Sequence, residues 1–178
     1  MQKQHQRESG IRLREVSKGD VSFLTRVAND PSLMEILCDE PSNARYWERV
    51  VSIWQADPDE EAFIITRESD DTDMGWLGIN GLVSTEDTVW LKMMVLLPEF
   101  WGQRYGSYAL QEVKKHLAAS GSARICLWTD QCNERSQTCY RKNGFVAIDS
   151  KIASVGTRKI LRERILMACR IPASIDGR

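Results

Sequence analysis
No run of this sequence approaches the roughly 18 consecutive apolar residues that a membrane-spanning helix requires, so no membrane partner is expected. The first ten residues, Met1–Gly10, are polar and carry no hydrophobic segment after their basic side chains, which is unlike a secretory signal. Histidine is scarce: His5 and His116 are too few, and too far from any partner in sequence, for a His-based centre, and no metal is expected. The five cysteines (Cys38, Cys126, Cys132, Cys139 and Cys169) form an odd set with no C-x-x-C spacing. That pattern argues against a disulfide framework or a zinc site and for reduced thiols in a cytoplasmic setting. A GxxxxGK[ST] loop and a GxGxxG fingerprint are both missing, which removes the two commonest nucleotide-phosphate signatures. Internal repeats, low-complexity segments and linkers are absent as well.

What is present fits one globular domain. The chain has 178 residues, of which 42% are hydrophobic and 28% charged, a balance that supports a packed core rather than disorder. The expected organisation is a flexible tail over 1–10, a domain over 11–171 and a short tail over 172–178. A formal net charge of −1 conceals an internal polarity. Residues 1–90 hold 18 acidic and 9 basic side chains, and residues 91–178 hold 7 and 15. Scattered surface charge would explain this plainly; alternatively, the first half suits a cationic or amine-bearing ligand and the second an anionic one. With a pI near 6.2 and no basic run, a nucleic-acid partner is disfavoured.

Periodicity predicts alternating elements. Ile11–Val16 alternates as a half-buried strand, and Ser17 with Asp20 forms a variant capping box before a helix that presents Val21, Leu24, Val27 and Ala28. Ser42 can cap a second helix, in which Tyr46, Val50 and Trp54 recur, ending at Asp57-Pro58-Asp59. Strands follow at Ala62–Thr66, Trp76–Val83 and Thr88–Leu97, then an amphipathic helix over Tyr105–Ala119 and a strand at Arg124–Trp128. A short helix, Asn133–Lys142, stops at Asn143-Gly144, and strands at Phe145–Asp149 and Lys159–Arg170 close the chain. The order β-α-α-β-β-β-α-β-α-β-β predicts a single α/β (α+β) domain with flanking helices and a mixed central sheet of about seven strands.

Two segments carry chemistry. In the first, a long apolar strand runs into Trp101-Gly102-Gln103-Arg104-Tyr105-Gly106-Ser107, where a helix begins. Glycines at such a junction let backbone N–H groups approach a phosphate, and the helix N-terminus favours negative charge. In the second, Asn133 starts a helix on which Ser136 and Tyr140 lie one turn apart on one face. Taken singly, a plain connection and an ordinary capped helix with a half-buried tyrosine would account for them.

Together, the glycine loop and the N-x-x-S-x-x-x-Y-x-K-x-G-F run over 133–145 resemble the GNAT superfamily of acyl-CoA-dependent N-acyltransferases. The likeness extends over about 11–170, and the P-E-F-W-G stretch resembles the branch of ribosomal-protein, spermidine and antibiotic-modifying acetyltransferases. The resemblance implies an acetyl-CoA cosubstrate, with the family's pyrophosphate loop falling on Trp101, Gly102, Gln103, Arg104, Tyr105 and Gly106, and Ser107 opening the helix. Here Trp101 replaces the usual first Gln or Arg, and Arg104 stands where the central glycine is usual. By the same resemblance, backbone groups of Met93, Met94 and Val95 meet the pantetheine arm and the thioester carbonyl. Asn133, with Ser136 beside it, meets the pantetheine, and Tyr140 protonates the departing thiolate. A backbone N–H near Val95 could also stabilise the oxyanion formed when an amine attacks the thioester.

For the amine's proton a carboxylate or water relay is needed. Glu86 and Asp87, just before the long strand, come first as candidates, and Asp39 and Glu40 next; a solvated turn is the plainer reading of the first pair. Asp39, Glu40, Tyr46 and Trp47 are expected to bind the amine, with cation–π contacts available, though aromatics at helical spacing more often pack in a core. The substrate reading is a cationic small molecule, a polyamine or an aminoglycoside-type antibiotic. Alternatives are a protein N-terminus and a non-catalytic CoA-binding sensor. Dimers are common in the family, so a homodimer is among the expectations.

Overall fold
The computed structural model describes residues 10–84 and 86–172. Most of the two expected tails therefore lies outside the described residues. Seven strands form one sheet in the order β1-β2-β3-β4-β5-β7-β6. They are β1 (Ile11–Glu15), β2 (Glu60–Arg67), β3 (Thr72–Asn80), β4 (Thr88–Leu96), β5 (Arg124–Asp130), β6 (Val146–Val155) and β7 (Ile160–Arg170). The helices are α1 (Val21–Ala28), α2 (Pro31–Leu37), α3 (Ala44–Ala56), α4 (Tyr105–Ala119) and α5 (Glu134–Lys142).

Among the described residues three α-helices, not two, precede β2. Asp30 accepts the N–H groups of Ser32 and Leu33, and Pro31 occupies the first helical position, so α2 starts as a capped helix. Asn43, rather than Ser42, caps α3 through the Tyr46 N–H. Ser42 instead accepts the Trp47 indole N–H at 2.9 Å. The capping box at Ser17 and Asp20 forms as expected and opens a 3-10 turn into α1. Asp20 also takes two hydrogen bonds from the Arg14 guanidinium, tying β1 to that turn.

Alternation along the central strands splits the core into two layers. Phe63 and Ile65 of β2 pack with Leu110, Val113 and Leu117 of α4. Ala62 and Ile64 point the other way, onto Leu24, Leu33, Trp47 and Val51 of α1–α3. In β4 the parity changes: Leu91 belongs to the α4 layer, whereas Met93 and Val95 pack on the α1–α3 side. A bulge causes this, since Gly78 pairs with Met93 but Ile79 with Leu91, leaving Lys92 as the extra residue. Strands β4 and β5 are parallel and share register only at Thr88–Trp90 against Arg124–Cys126. Beyond that point the sheet is open between them.

His116, expected at the surface, is half-buried on α4, with its Nε2 2.6 Å from a Glu61 carboxylate oxygen and its ring edge-on to Phe63. Among the described residues no helix is long and apolar enough to cross a membrane.

Candidate active site
The opening between β4 and β5 leads into a cleft of about 720 Å³. One wall is Met94, Val95 and Leu96 of β4; the loop and first turn of α4 close one end, and α5 supplies the other wall. Arg104 sits at the N-cap of α4 in the left-handed region (φ 68°), a conformation that glycine adopts without strain. The arginine thus holds the turn a glycine would make. Gly102 also has positive φ, with open space around it. Gly106 is close-packed rather than strained: a Cβ there would lie 3.3 Å from Cys139 Sγ. That contact is where α4 and α5 pack across the floor of the cleft. Asn143 fastens the same junction, its Nδ2 donating to Ser107 Oγ (3.0 Å) and to the Cys139 carbonyl (2.8 Å).

The first-turn amides of α4 have no intrahelical acceptors, so this N-terminus presents donors into the cleft. Arg104, Arg135 and Lys142 line it too, against one carboxylate, Glu134. Arg135 lies flat on the Trp101 indole, its guanidinium carbon 3.5 Å from the ring centroid. Burial pushes the Arg135 pKa down. Trp101 in turn donates its indole N–H to the Leu96 carbonyl at 2.7 Å, which anchors the loop to the end of β4. Asn133 caps α5 by accepting the Ser136 N–H at 3.1 Å.

A second pocket, of about 540 Å³, lies on the opposite side of β4, under α1–α3. Its aromatic wall is Trp47, Trp54 and Trp76, with ring centroids 5.2 to 6.1 Å apart, and Tyr46 edge-on to Trp47 at the rim. Asp39, Glu40 and Glu60 supply the carboxylates, and Lys92, the bulged residue, pairs with Glu60. The wall is completed from far along the chain. Thr157, in the turn between β6 and β7, donates its N–H to Asp39 at 2.8 Å, and its hydroxyl accepts the Glu40 N–H at 2.7 Å. Val95, Leu33 and Leu37 line both cavities.

Most residues singled out in the sequence meet here. Met94, Val95, Trp101, Gly102, Arg104, Tyr105, Gly106, Ser107, Asn133 and Ser136 line the cleft; Asp39, Glu40, Tyr46 and Trp47 line the second pocket. The Met93 side chain enters the second pocket, because the bulge at Lys92 turns it there; the role expected of Met93 was a backbone one. Four other residues do not sit where they were expected. Gln103 lines neither cavity and donates to the Glu99 carbonyl at the surface. Glu86 and Asp87 are exposed beside the closed end of the β4–β5 pair, nine and eight residues before Val95, and line neither cavity. At about 3.3 Å per residue that separation exceeds 20 Å, too far for either to be the base. Tyr140 also lines neither cavity; its ring is buried 5.6 Å from that of Phe145, and desolvation drives the phenol pKa upward.

Sequence reasoning missed Arg135, Cys139, Lys142 and Asn143 on one side and Glu60 and Trp76 on the other. The spacing 133-136-139-143 follows one helix face, and it would have yielded Cys139 and Asn143. Glu60 and Trp76 reach the pocket through sheet register, which no local pattern reveals.

Two cavities of opposite charge that share a wall at one strand suit an enzyme that holds a donor and an acceptor at once. The family pattern described as Acetyltransferase (GNAT) domain matches residues 11–146. The chain belongs to this GNAT acetyltransferase family. No match is found among curated proteins. Among solved structures, the chain is similar to a spermidine N-acetyltransferase from Vibrio cholerae in complex with CoA and spermine. That likeness has a TM-score of 0.81 and 16% identity over 92% of this chain and 97% of the other. It is also similar to a probable GNAT-family acetyltransferase from Chromobacterium violaceum ATCC 12472 (TM-score 0.77, 19% identity, 92% and 84% covered). A dodecameric structure of the V. cholerae spermidine enzyme in an intermediate state matches with TM-score 0.75 and 16% identity, covering 92% and 95%. At these identities the likeness establishes the fold.

Proposed function
We propose that the protein transfers the acetyl group of acetyl-CoA to a primary amine of a cationic small molecule of polyamine or aminoglycoside type. The observation that carries this reading is the meeting of the basic cleft and the acidic, aromatic pocket at Val95. GNAT acetyltransferases use acetyl-CoA, and the cleft fits it: a turn with two positive-φ residues, open helix amides and three cationic side chains suit its phosphates. When bound, acetyl-CoA supplies a thioester whose acyl carbon an amine can attack directly, with the thiol leaving.

The chain's own residues then have separable tasks. Arg104, Arg135, Lys142 and the first-turn amides hold phosphate; Asn133 and Ser136 face the arm that follows. The backbone at Met93–Val95 separates donor from acceptor and holds both, which removes much of the entropic cost of bringing them together. Trp47, Trp54, Trp76 and Tyr46 offer faces to an ammonium or its methylenes, and Asp39 and Glu40 supply countercharge at the rim. Those two carboxylates take the place of Glu86 and Asp87 as acceptors of the amine's proton. Tyr140 lines neither cavity, so the family resemblance alone carries it as proton donor to the leaving thiolate; burial keeps its phenol protonated.

The acidic wall and the V. cholerae enzyme crystallised with spermine support a polyamine within this class. The five cysteines are all free, which fits the cytoplasmic setting read from the sequence. The test is thiol release from acetyl-CoA against polyamines, aminoglycosides, amino acids and short peptides. Saturable release with one polycationic class is the expected result. Release with peptides alone would move the reading to protein N-termini, and binding of acetyl-CoA without turnover on any amine would indicate a sensor.

A further inference from the structure
Among the described lysines, Lys92 alone lines the second pocket, and Lys142 alone lines the cleft. Others are engaged elsewhere: Lys114 donates to the Asn143 carbonyl, Lys115 pairs with Glu112, and Lys151 rests on the Trp128 ring. The bulge in β4 puts Lys92 where it is. Gly78 pairs with Met93 and Ile79 with Leu91, so Lys92 has no partner in the register, and its side chain reaches across β3 to β2. There its Nζ lies 2.5 Å from Oε1 of Glu60, the first residue of that strand. The lysine side chain is 44% accessible, and ion pairs so open to water hold weakly. The ammonium can therefore leave Glu60 without leaving the pocket.

Two features of this position point to chemistry. The side chain is a primary amine on a flexible four-carbon stem, the same class of group as the acceptor proposed above, and it stands in the pocket proposed for that acceptor. Val95, which lines both cavities, is three residues further along the same strand, about 10 Å at 3.3 Å per residue. Met93 and Met94, whose backbone is expected to meet the thioester, lie between the two. A lysine swung from Glu60 along the strand carries its nitrogen toward the reacting carbon. We propose that Lys92 is a site of self-acetylation: with acetyl-CoA bound and no amine in the second pocket, its Nζ takes the acetyl group. A bond forms between Nζ and the acyl carbon, and the carbon–sulfur bond of the thioester breaks. The ammonium gives one proton to the Glu60 carboxylate. The second proton lost by the nitrogen goes to the departing sulfur, which leaves as the CoA thiol. No oxidant or further reactant is needed. Holding the nitrogen on the strand that meets the thioester replaces an encounter in solution. The product is a neutral amide, so Glu60 loses its internal partner and is left open to a substrate's ammonium.

This proposal rests on the acetylation reading, and the test separates the two. The full chain is incubated with acetyl-CoA and no amine; calorimetry follows binding, and peptide mass mapping follows each lysine. Lys92 should be acetylated at least about tenfold faster than Lys115, whose side chain is 68% accessible. The preference should vanish in urea, where the lysines are alike. Glu60→Gln should slow modification of Lys92 at least about tenfold relative to Lys115, because the proton acceptor is lost. Circular dichroism checks that the variant is folded. Lys92 acetylated no faster than Lys115, in a chain that binds acetyl-CoA, overturns this proposal and leaves the acetylation reading intact. A preference that survives urea, or that a folded Glu60→Gln variant leaves unchanged, overturns it as well. A chain that binds no acetyl-CoA overturns both.

Discussion
Replacing Tyr140 by Phe separates chemistry from packing more cleanly than any other change. The ring stays, so its contact with Phe145 at 5.6 Å is kept, and no cavity opens. Only a hydroxyl is lost, which for a buried group alters stability by about 1 kcal/mol. If the phenol delivers the proton to the thiolate, turnover should fall about 10²–10⁴-fold. Acetyl-CoA affinity should hardly move, since Tyr140 does not line the cleft. Initial rates by thiol release and binding by calorimetry give the two readouts. The phenol itself provides an internal check. Its pKa is raised by desolvation first, with the Cys139 thiol adding to this and the Arg164 guanidinium opposing it. An unfolded chain ionises its tyrosines near pH 10, so it binds fewer protons than the folded chain above that value. The native protein should therefore lose stability as pH rises past about 10, by up to about 1.4 kcal/mol per pH unit from this group. The Phe variant should lack that component. Unchanged turnover in the variant would refute the catalytic role and leave Tyr140 as a core residue.

Arg135→Ala removes the guanidinium stacked on Trp101, and the Michaelis constant for acetyl-CoA should rise several-fold with turnover largely retained, as steady-state kinetics would show. Gly156→Ala would place a Cβ 2.1 Å from the Cys38 carbonyl oxygen at a residue with φ +66°. The turn should leave its seat, raising the Michaelis constant for the amine more than that for acetyl-CoA. For Asp20, burial raises the carboxyl pKa, but the hydrogen bonds from Arg14 and Ser17 outweigh it and hold the group below the usual range. Its contribution is therefore present above about pH 4 and is lost as pH falls through the lower folded value. Asp20→Asn should cost about 1–3 kcal/mol in urea unfolding at pH 7, and the gap to wild type should close in acid.

The parts of the fold that were legible in the sequence are those where one local signal decides the structure. Helix α4 and strands β4 and β5 follow from clean periodicity, and α5 from Asn133 at its start and Asn143-Gly144 at its end. Helix α2 was missed although Asp30-Pro31 announces it, because seven residues hold too few turns for a hydrophobic stripe to emerge. Strand β6 runs to Val155 rather than Asp149, since a strand exposed on both faces shows no alternation. In the site, the loop and α5 could be read because their residues are contiguous. The base could not: Glu86 and Asp87 look close to the cleft along the chain, but the parallel β4–β5 pairing puts them at its closed end. Arg104 shows a further limit. A residue type unusual for the turn holds the left-handed conformation all the same, at a cost of about 1–2 kcal/mol.

Thr157 and Asp39 are 118 residues apart in sequence, yet their hydrogen bond seals the wall of the second pocket. During synthesis the nascent chain therefore emerges with α1–α3 and the central strands complete while that wall is still missing. The helices can fold and the turn before α4 can form, but the second pocket stays open until the last hairpin arrives. A chain clipped in the β6–β7 turn would keep β4, α4 and α5, which line the cleft, and lose the seal on the second pocket.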